Sequence, residues 1–331
     1  MKLKLALYNV QWMRDLFKRD GSLRTNAEDA KRSKRLAKVI TTIGPDFLGI
    51  VEGPDTLSDG SKTASQQLER WIQVLGLNPA YKAVHGYPSH GQQELCAIYD
   101  SSKIQVEFSP TTSGSNQFNK PFLMDTSNRL IREQFVHYRP PLELTIKDLM
   151  GEELTRVIIA HTKSKGIFTA VDYARFEQIS ERDRVRLFAE CMSIRARCDE
   201  HLNDGKNVVV MGDINDGAGM DFYESRFKKS ALEILLGDVW QADKILRSVI
   251  DRPAWGKYGW KPSTSRYKDR ITEDTVNVLI DHILVSKGVK VDSAKVWNPF
   301  EQKDDSVIQG LYKDLKYASD HYPVCADIEL Q

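Results

Sequence analysis

The chain has few cysteines and no pattern that would link them. Four cysteines are spread over 331 residues, and none forms the Cys-x-x-Cys pair typical of a zinc site. Cys191 and Cys198 lie in a segment with helical periodicity, which separates them by roughly 10 Å, beyond the reach of a disulfide. We therefore expect reduced cysteines in the core.

Long apolar runs are also missing. No stretch approaches the roughly 18 apolar residues that span a membrane. Met1-Lys2-Leu3-Lys4 runs directly into a strand pattern, without the apolar segment or cleavage site of a signal peptide. These absences predict no membrane span and a cytoplasmic location, or a secreted one if a leader has been removed.

Charge of either sign is not in excess. Lysine and arginine number 47 and aspartate and glutamate 46, for a formal net charge of +1, so attraction to a polyanion must come from local basic patches. Hydrophobic residues make up 41% of the chain, which is enough for a core. We expect one domain over residues 1–331, since two-layer sheet proteins can form one unit at this length, and we assume a monomer.

Short apolar strands alternate with helical segments along the chain. Residues 26–43 predict a helix with Asn26 as N-cap and Gly44-Pro45 as its end, and a longer helix is predicted from about Asp172 to Leu202. The predicted strands cover residues 3–9, 47–51, 97–99, 135–138, 142–146, 157–160, 208–211, 278–280, 283–285 and 322–328. Their continuous apolar runs indicate burial on both faces. Two packed sheets with outer helices satisfy this pattern, and so does a doubly wound sheet.

Polar residues suited to metal or phosphate binding stand at the ends of these apolar runs or interrupt them. They are Asn9, Glu52, His161, Asp213, Asn215, Asp281, Asp320 and His321. Together they suggest one convergent metal-phosphate site. Taken singly, Asp213 and Asn215 are also typical of a turn, and Asp320 and His321 of a loop cap and a surface histidine. Asp281 interrupts an apolar run, where an acid is unfavourable unless paired, so we expect a buried partner.

Basic and aromatic residues accompany this set. His161 precedes Thr162-Lys163-Ser164-Lys165, which offers donors for a phosphate or forms a solvated basic loop. Trp255-Gly256-Lys257-Tyr258-Gly259-Trp260-Lys261 and Arg266-Tyr267-Lys268-Asp269-Arg270 interleave both types in a predicted loop. That mixture suits base stacking with phosphate contacts, packing of the loop on the domain, or a lipid headgroup. Arg182, Arg184, Arg186 and Arg197 are expected on the solvated face of the long helix.

Six motifs of the sequence resemble those of a known family. The motifs, in order, are Asn9-Val10-Gln11-Trp12, Glu52, His161, Gly212-Asp213-Ile214-Asn215, Ile280-Asp281-His282-Ile283 and Ser319-Asp320-His321-Tyr322-Pro323. They resemble those of the endonuclease/exonuclease/phosphatase superfamily typified by deoxyribonuclease I, over nearly the whole chain. The resemblance implies an α/β fold, a four-layer α/β sandwich of two packed mixed β-sheets flanked by helices, with a Mg²⁺-dependent site at one edge.

The resemblance also implies the metal ligands. Glu52 looks like the principal ligand, with Asn9 and Asp320 nearby. Asp213 and Asn215 look like residues that act at the phosphate or at a second metal. All are oxygen donors, as Mg²⁺ requires, and Mn²⁺ is the alternative ion.

The remaining roles concern proton transfer and substrate. His321 paired with Asp281 looks like the general base that activates water, and His161 like a general acid or a ligand of the transition-state phosphoryl group. Arg132 resembles the phosphate-gripping arginine of deoxyribonuclease-like members. The expected substrate-binding residues are thus Arg132, Lys163, Trp255 and Trp260.

The sequence departs from some branches of the family. Val51 stands where many members have glutamine before the metal glutamate, and the segment around Asp281 lacks the tryptophan-cysteine-aspartate-arginine motif of inositol phosphatases. His161 is more typical of deoxyribonuclease-like and sphingomyelinase-like branches. We expect a metal-dependent nuclease that hydrolyses DNA or RNA by in-line attack of an activated water. The alternatives are hydrolysis of a phospholipid or small phosphoester, and a non-catalytic binding protein on the same fold.

Overall fold

The computed structural model describes residues 1–88, 93–112, 116–127, 131–167, 173–251, 253–268 and 273–330. The helices of these residues are α1 (Ala27–Ile43), α2 (Ala64–Leu75), α3 (Tyr173–Asn203), α4 (Phe222–Phe227), α5 (Ala231–Leu236), α6 (Ser306–Gly310) and α7 (Tyr312–Ala318), with a short 3₁₀ helix at Met13–Leu16. The strands are β1 (Lys2–Asn9), β2 (Phe47–Val51), β3 (Tyr81–His85), β4 (Cys96–Asp100), β5 (Gln105–Phe108), β6 (Phe122–Met124), β7 (Glu133–Phe135), β8 (Leu142–Lys147), β9 (Glu153–His161), β10 (Val208–Asp213), β11 (Arg247–Ser248), β12 (Ala254–Gly256), β13 (Gly259–Lys261), β14 (Ser265–Lys268), β15 (Thr275–Val278), β16 (Asp281–Val285), β17 (Val289–Val296) and β18 (Val324–Leu330).

Two mixed sheets form the centre of this part of the chain. The first has the strand order β17-β18-β1-β2-β4-β3 and the second β11-β16-β10-β9-β8-β5. The pairs β1–β2 and β9–β10 are parallel, and their neighbours are antiparallel. Two smaller sheets have the orders β12-β13-β15-β14 and β6-β7.

Three apolar cores separate four layers. Side chains such as Leu7 and Met211 fill the space between the two large sheets. Helices α1, α2 and α7 cover the outer face of the first sheet, with Trp71 buried there. Helices α3 and α5 cover the second sheet, with Phe188 buried between them and the strands. The expected four-layer α/β sandwich is therefore confirmed, and the doubly wound sheet is excluded.

The sheets approach each other closely at Gly49. A Cβ placed on this residue of β2 would lie 2.6 Å from Sδ of Met211 and 3.3 Å from Cδ1 of Ile159. Both neighbours belong to the second sheet, so the small residue permits the contact between sheets. This approach brings the ends of β1 and β2 near the ends of β9 and β10.

The helix predictions are confirmed at their caps. The side chain of Asn26 accepts a hydrogen bond from the backbone N–H of Asp29, and Gly44 ends α1 with a φ of 58°. This left-handed conformation suits glycine, which has no Cβ. The long helix is α3, Tyr173–Asn203; its predicted start at Asp172 lies outside the described residues.

Some predicted elements are wrong. The strand expected at 135–138 ends at Phe135, because His137 turns into the core, where its Nε2 lies 3.0 Å from Oγ of Ser193 and its ring packs edge-on against Phe118. The loop expected around Trp255 is instead the four-stranded sheet β12–β15. Asp269 and Arg270 of that segment lie outside the described residues.

Two arginines of the long helix are not on a solvated face. Arg184 and Arg197 are buried. Nη2 of Arg184 lies 2.5 Å from Oδ2 of Asp221, and Nε of Arg197 lies 3.7 Å from Oε1 of Glu143. The interspersed acids in the sequence suggested solvent exposure, whereas both arginines also pair with acids from other elements, and Arg197 bonds Glu200 of its own helix as well.

The cysteines are buried free thiols, as expected. They are Cys96, Cys191, Cys198 and Cys325. In the part of the chain that the structure describes, no helix is both long and apolar enough to cross a membrane.

Replacement of Gly212 by alanine tests the close contact between β9 and β10. A Cβ on Gly212 would lie 1.9 Å from the carbonyl oxygen of Ala160, so the backbone of one strand must shift. We expect Gly212→Ala to lower the free energy of unfolding by roughly 3 kcal/mol in chemical denaturation. Gly310→Ala is the control, because no atom lies within 4 Å of its added Cβ, and a change below about 0.5 kcal/mol is expected. Similar losses in both variants would contradict this account.

Candidate active site

The ends of neighbouring strands gather the predicted polar residues at one edge of the sandwich. Parallel pairing places Asn9 beside Val51, the residue before Glu52. It likewise places Asp213 beside His161. Asp213 also faces Asp281 across the antiparallel pair β10–β16. Residues far apart in sequence thus meet because their strands end at the same edge.

Asn9 links the two sheets. Its Nδ2 donates to Oδ2 of Asp213 at 3.1 Å and to Oε1 of Glu52 at 3.3 Å. Its Oδ1 accepts from the backbone N–H of Gln11 at 3.0 Å. In this arrangement the amide holds the two carboxylates together by hydrogen bonds.

Glu52 is held in an unusual backbone conformation. Its φ is 61°, a region that costs about 1–3 kcal/mol for a residue with a side chain. The carboxylate Oε2 accepts from the N–H of Trp12 at 2.9 Å, and the carbonyl accepts from the N–H of Met13 at 3.0 Å. These bonds tie the carboxylate to the chain that follows β1.

Asp213 uses its two oxygens differently. Oδ1 accepts from the backbone N–H of Asn215 at 3.0 Å, which is the local turn that the sequence allowed. Oδ2 lies 3.7 Å from Nε2 of His161 and 3.9 Å from Nε2 of His321. Asn215 in turn donates from Nδ2 to the carbonyl of Thr162 at 3.0 Å. The turn and the polar cluster are therefore parts of one arrangement.

His321 and Asp281 form a buried pair. Nδ1 of His321 lies 2.7 Å from Oδ2 of Asp281, so Asp281 has the buried partner expected of it, and the surface-histidine interpretation is wrong. Burial alone would lower the pKa of His321, but the charge and hydrogen bond of Asp281, with smaller contributions from Asp213 and Asp320, raise it to about 10. The imidazole is therefore held as a cation.

His161 behaves in the opposite way. Burial, the charge of Arg139 and the charge of His321 lower its pKa well below the ordinary value of 6.5. Among the described residues, no hydrogen-bond partner reaches its Nδ1. The site thus contains one charged and one neutral imidazole on either side of Asp213.

The electrostatics and the donor set fit a divalent cation. Burial and the charges of Asp281 and Glu52 raise the pKa of Asp213 to about 7, against the opposing charge of His321. Ligand atoms of Asp213, Asp281 and His321 all lie within 4.8 Å of one another. Oδ1 of Asp281 has no hydrogen-bond partner among the described residues. Clustered carboxylate oxygens that repel one another are the donors that Mg²⁺ and Mn²⁺ prefer.

The predicted ligands lie at different depths in this edge. Asn9 and Asp213 are buried, and Glu52 is half-buried. The carboxylate of Asp320 is half-exposed, with Oδ1 4.0 Å from Nε2 of His321. Because Asp281 is bonded to His321, the oxygens of Glu52 and Asp213 fit the role of metal ligands better than the Asp281–His321 pair does.

The predicted substrate residues are more scattered. Nζ of Lys163 lies 2.9 Å from Oδ2 of Asp183 on α3, which ties this lysine to the scaffold. Arg132 is exposed just before β7. Trp255 is 74% exposed and packs edge-on against Trp260, with ring centroids 5.4 Å apart.

The sheet β12–β15 is joined directly to the catalytic edge. Ser265 in β14 forms a β-bridge with His321, and its Oγ donates to the carbonyl of Asp320 at 2.9 Å. Oγ1 of Thr264 accepts from the backbone N–H of Asp281 at 3.0 Å. The sheet that carries the aromatic and basic residues therefore adjoins the rim of the site.

Arg139 is the residue that the sequence analysis missed. Burial lowers its pKa, and the charges of Glu52 and Asp213 act against that shift, which locates the guanidinium within the field of the site. Its Nη2 donates to Oε1 of Gln93 at 3.0 Å. Arg139 precedes two prolines, and no periodic pattern distinguishes it from Arg132.

Comparisons with known proteins agree with this fold. A model of the Endonuclease/Exonuclease/phosphatase family matches residues 6–321. Similar solved structures include an endonuclease/exonuclease/phosphatase from Bacteroides vulgatus, with 16% identity, a TM-score of 0.51 and 100% of both chains covered. A family protein from Bacteroides thetaiotaomicron has 13% identity, a TM-score of 0.51 and coverage of 99% of this chain and 97% of the other. TDP2 from C. elegans has 13% identity, a TM-score of 0.52 and coverage of 99% and 75%. No curated protein sequence matches. At these identities, the solved structures show a shared fold.

Asp281→Asn tests the charge of the His321 pair. The pKa of His321 is about 10 in the folded protein, against an ordinary value of 6.5. The stabilisation that this pair gives to the fold is therefore complete below about pH 6.5, and it is lost as the pH rises through about 10. Without metal, we expect the unfolding free energy of the parent to fall more steeply than that of Asp281→Asn between about pH 8 and 10.

Other groups that titrate in this range are present in both the parent and the variant. The difference between the two stability curves therefore reports the His321–Asp281 pair. An NMR titration of the His321 ring should give a lower pKa in Asp281→Asn. Parallel stability curves with an unchanged histidine pKa would show that Asp281 does not hold the charge.

Proposed function

The chain belongs to the Endonuclease/Exonuclease/phosphatase family, whose members hydrolyse phosphoester bonds, and we propose that it is a divalent-metal-dependent nuclease. The observation that carries the proposal is the buried His321–Asp281 pair, 2.7 Å between Nδ1 and Oδ2, beside the carboxylate of Asp213. This arrangement can take a proton from water next to oxygens that bind a cation. The substrate proposed is a DNA or RNA phosphodiester.

Glu52 and Asp213, held together by Asn9, would bind the cation. When bound, Mg²⁺ or Mn²⁺ supplies positive charge to the phosphate oxygens. A bound cation would also offset the charge of the surrounding carboxylates and so favour the neutral form of His321 that a base requires. Asp320 stands at the rim of the same group of oxygens.

His321 is the general base in this proposal. Its Nε2 side takes a proton from the attacking water, while Asp281 keeps the ring oriented through Nδ1. The water oxygen forms a bond to phosphorus, and the bond from phosphorus to the leaving oxygen breaks in line. The leaving oxygen takes a proton from solvent and His321 returns its proton to solvent, so that one water is added across the bond and the base is restored.

His161 and Arg139 stabilise the phosphoryl group. Because the pKa of His161 is well below its ordinary value, the ring is neutral near pH 7 and a poor acid. A hydrogen bond from this ring to a phosphoryl oxygen fits better, and we propose that role for His161 over the role of general acid. Arg139 adds a guanidinium whose charge acts on Glu52 and Asp213, and such a group suits a phosphate.

The sheet β12–β15 supports a nucleic acid as substrate. Trp255 is exposed, and Nζ of Lys257 lies 5.1 Å from the ring centroid of Tyr258. Aromatic rings beside cations suit bases beside phosphates. Ser265 of the same sheet is bridged to His321. A nucleic-acid strand bound along this sheet would therefore lead towards the site.

The first test is nicking of supercoiled plasmid by the purified protein. We expect relaxed and linear DNA in Mg²⁺, no change in EDTA, and a rate lower by roughly 10²–10⁴-fold for His321→Ala, because the base is removed. RNA and single-stranded DNA are tested beside the plasmid. Activity against phospholipid or small phosphoesters only would replace the nuclease proposal with that second activity. No hydrolysis of any of these substrates in Mg²⁺ or Mn²⁺ would reject a catalytic role.

The matched pair Arg139→Ala and Arg132→Ala tests which arginine contacts phosphate. We expect Arg139→Ala to lower kcat/KM by roughly ten- to a hundredfold, since a charged hydrogen bond to phosphate is lost. Arg132→Ala should stay within about twofold, because that side chain is exposed. The reverse order of effects would assign the phosphate contact to Arg132, as the resemblance first suggested.

A further inference from the structure

Trp12 is an exposed aromatic residue beside the catalytic edge. Its side chain is 46% exposed, yet its backbone N–H donates to Oε2 of Glu52 at 2.9 Å. A large apolar ring that faces solvent next to a metal-binding carboxylate is suited to contact with substrate.

The chain around Trp12 is held in a strained conformation. Gln11 has a φ of 46° and Trp12 a φ of 53°, and both residues carry side chains that disfavour this region. Gln11 is anchored by its N–H to Oδ1 of Asn9 at 3.0 Å. The ring of Trp12 is therefore presented by a fixed segment, since the same bonds that set Asn9 and Glu52 also set its backbone.

A half-buried arginine strengthens this arrangement. Arg32 on α1 donates from Nη2 to the carbonyls of Val10 and Gln11, and from Nε to the carbonyl of Ala318 at 2.9 Å. Ala318 ends the helix just before the Asp320–His321 segment. One guanidinium thus joins the segment that carries Trp12 to the segment that carries the proposed base.

A cation accompanies the exposed ring. Cζ of Arg14 lies 4.8 Å from the ring centroid of Trp12, and Nη1 lies 3.6 Å from Oδ2 of Asp55. An indole beside a guanidinium offers a stacking surface together with positive charge. A nucleotide has both complementary parts, a planar base and a phosphate.

We propose that Trp12, with Arg14, forms a stacking subsite for an unpaired base next to the scissile phosphodiester. This inference rests on the proposed nuclease function and specifies its substrate. Bases inside a duplex are stacked on their neighbours, so a base can stack on Trp12 only where the strand is single or its end is open. The protein therefore prefers single-stranded nucleic acid, or strand ends, over the interior of a duplex.

Trp12 is better placed for this role than Trp255. Trp255 is also exposed, but it lies on the sheet β12–β15, which meets the site through residues such as Ser265, bridged to His321. The backbone of Trp12 contacts Glu52 directly. The two tryptophans would therefore contact different nucleotides, with Trp12 nearer the reacting phosphate.

The first experiment measures binding. The ligand is a single-stranded oligonucleotide with one fluorescent purine analogue, whose emission falls when the base stacks. The protein is the full chain with His321→Ala, in Mg²⁺. This substitution keeps the oligonucleotide intact during the measurement. In that background we expect Trp12→Ala to bind about tenfold or more weakly and to lose the quenching. Trp12→Phe should retain most of both, because a ring remains. Both substitutions keep the N–H that bonds Glu52.

Trp240→Ala is the matched control. Trp240 is 90% exposed in the turn after α5 and has no place in the proposed subsite. It should keep the affinity and quenching of the background protein. If Trp12→Ala also keeps them, or if Trp240→Ala loses as much, the subsite is overturned.

The second experiment measures cleavage with His321 restored. Single-stranded DNA should be cut with a higher kcat/KM than a duplex of the same sequence, and Trp12→Ala should remove this preference mainly through KM, whereas Trp12→Phe should keep it. Thermal unfolding confirms that each variant is folded.

Cleavage of duplex and single strand at equal rates by the parent overturns the substrate preference and leaves the nuclease function intact. If the parent cuts neither while binding still depends on Trp12, the nuclease function fails and the base-binding subsite stands.

Discussion

The hydrogen bond from Asn9 to Asp213 joins strands of different sheets, and the rest of the site is arranged around it. It can form because the sheets approach closely where Gly49 of one meets Met211 of the other. This bond restricts the ends of both strands. The same side-chain amide of Asn9 also donates to Glu52, which is held in place with them. The packing of the sandwich therefore sets the distances between the reactive groups, and the loops that follow the strands only complete them.

The two histidines show how neighbours decide what burial does to a side chain. Both rings are buried, and burial by itself favours the neutral form of each. His321 is bonded to a carboxylate, which outweighs the loss of water and raises its pKa. His161 has Arg139 and a charged His321 in its surroundings, so its pKa falls further. One residue type thus provides a group that holds a proton and a group that does not, within a few ångströms of Asp213.

The sequence was most informative where local chemistry decides the structure. Asn26 and Gly44 mark the limits of α1 because caps and left-handed residues act over a few positions, and the strand-end residues were recognised from their order along the chain. It was least informative where the partner is distant. Arg184 was expected in solvent, because the carboxylate that it bonds, Asp221, lies outside the long helix. Arg139 was overlooked because its importance comes from charges contributed by other strands, which no spacing along the chain reveals.

The four strands β12–β15 come from one continuous stretch of chain between β11 and β16. They join the proposed site through Thr264 and Ser265 and pack on the central core through Trp260, while most of the proposed site residues belong to the two large sheets. Under the proposed function, a change in the length or composition of this stretch would alter the contacts with substrate and leave the polar side chains at the strand ends in place.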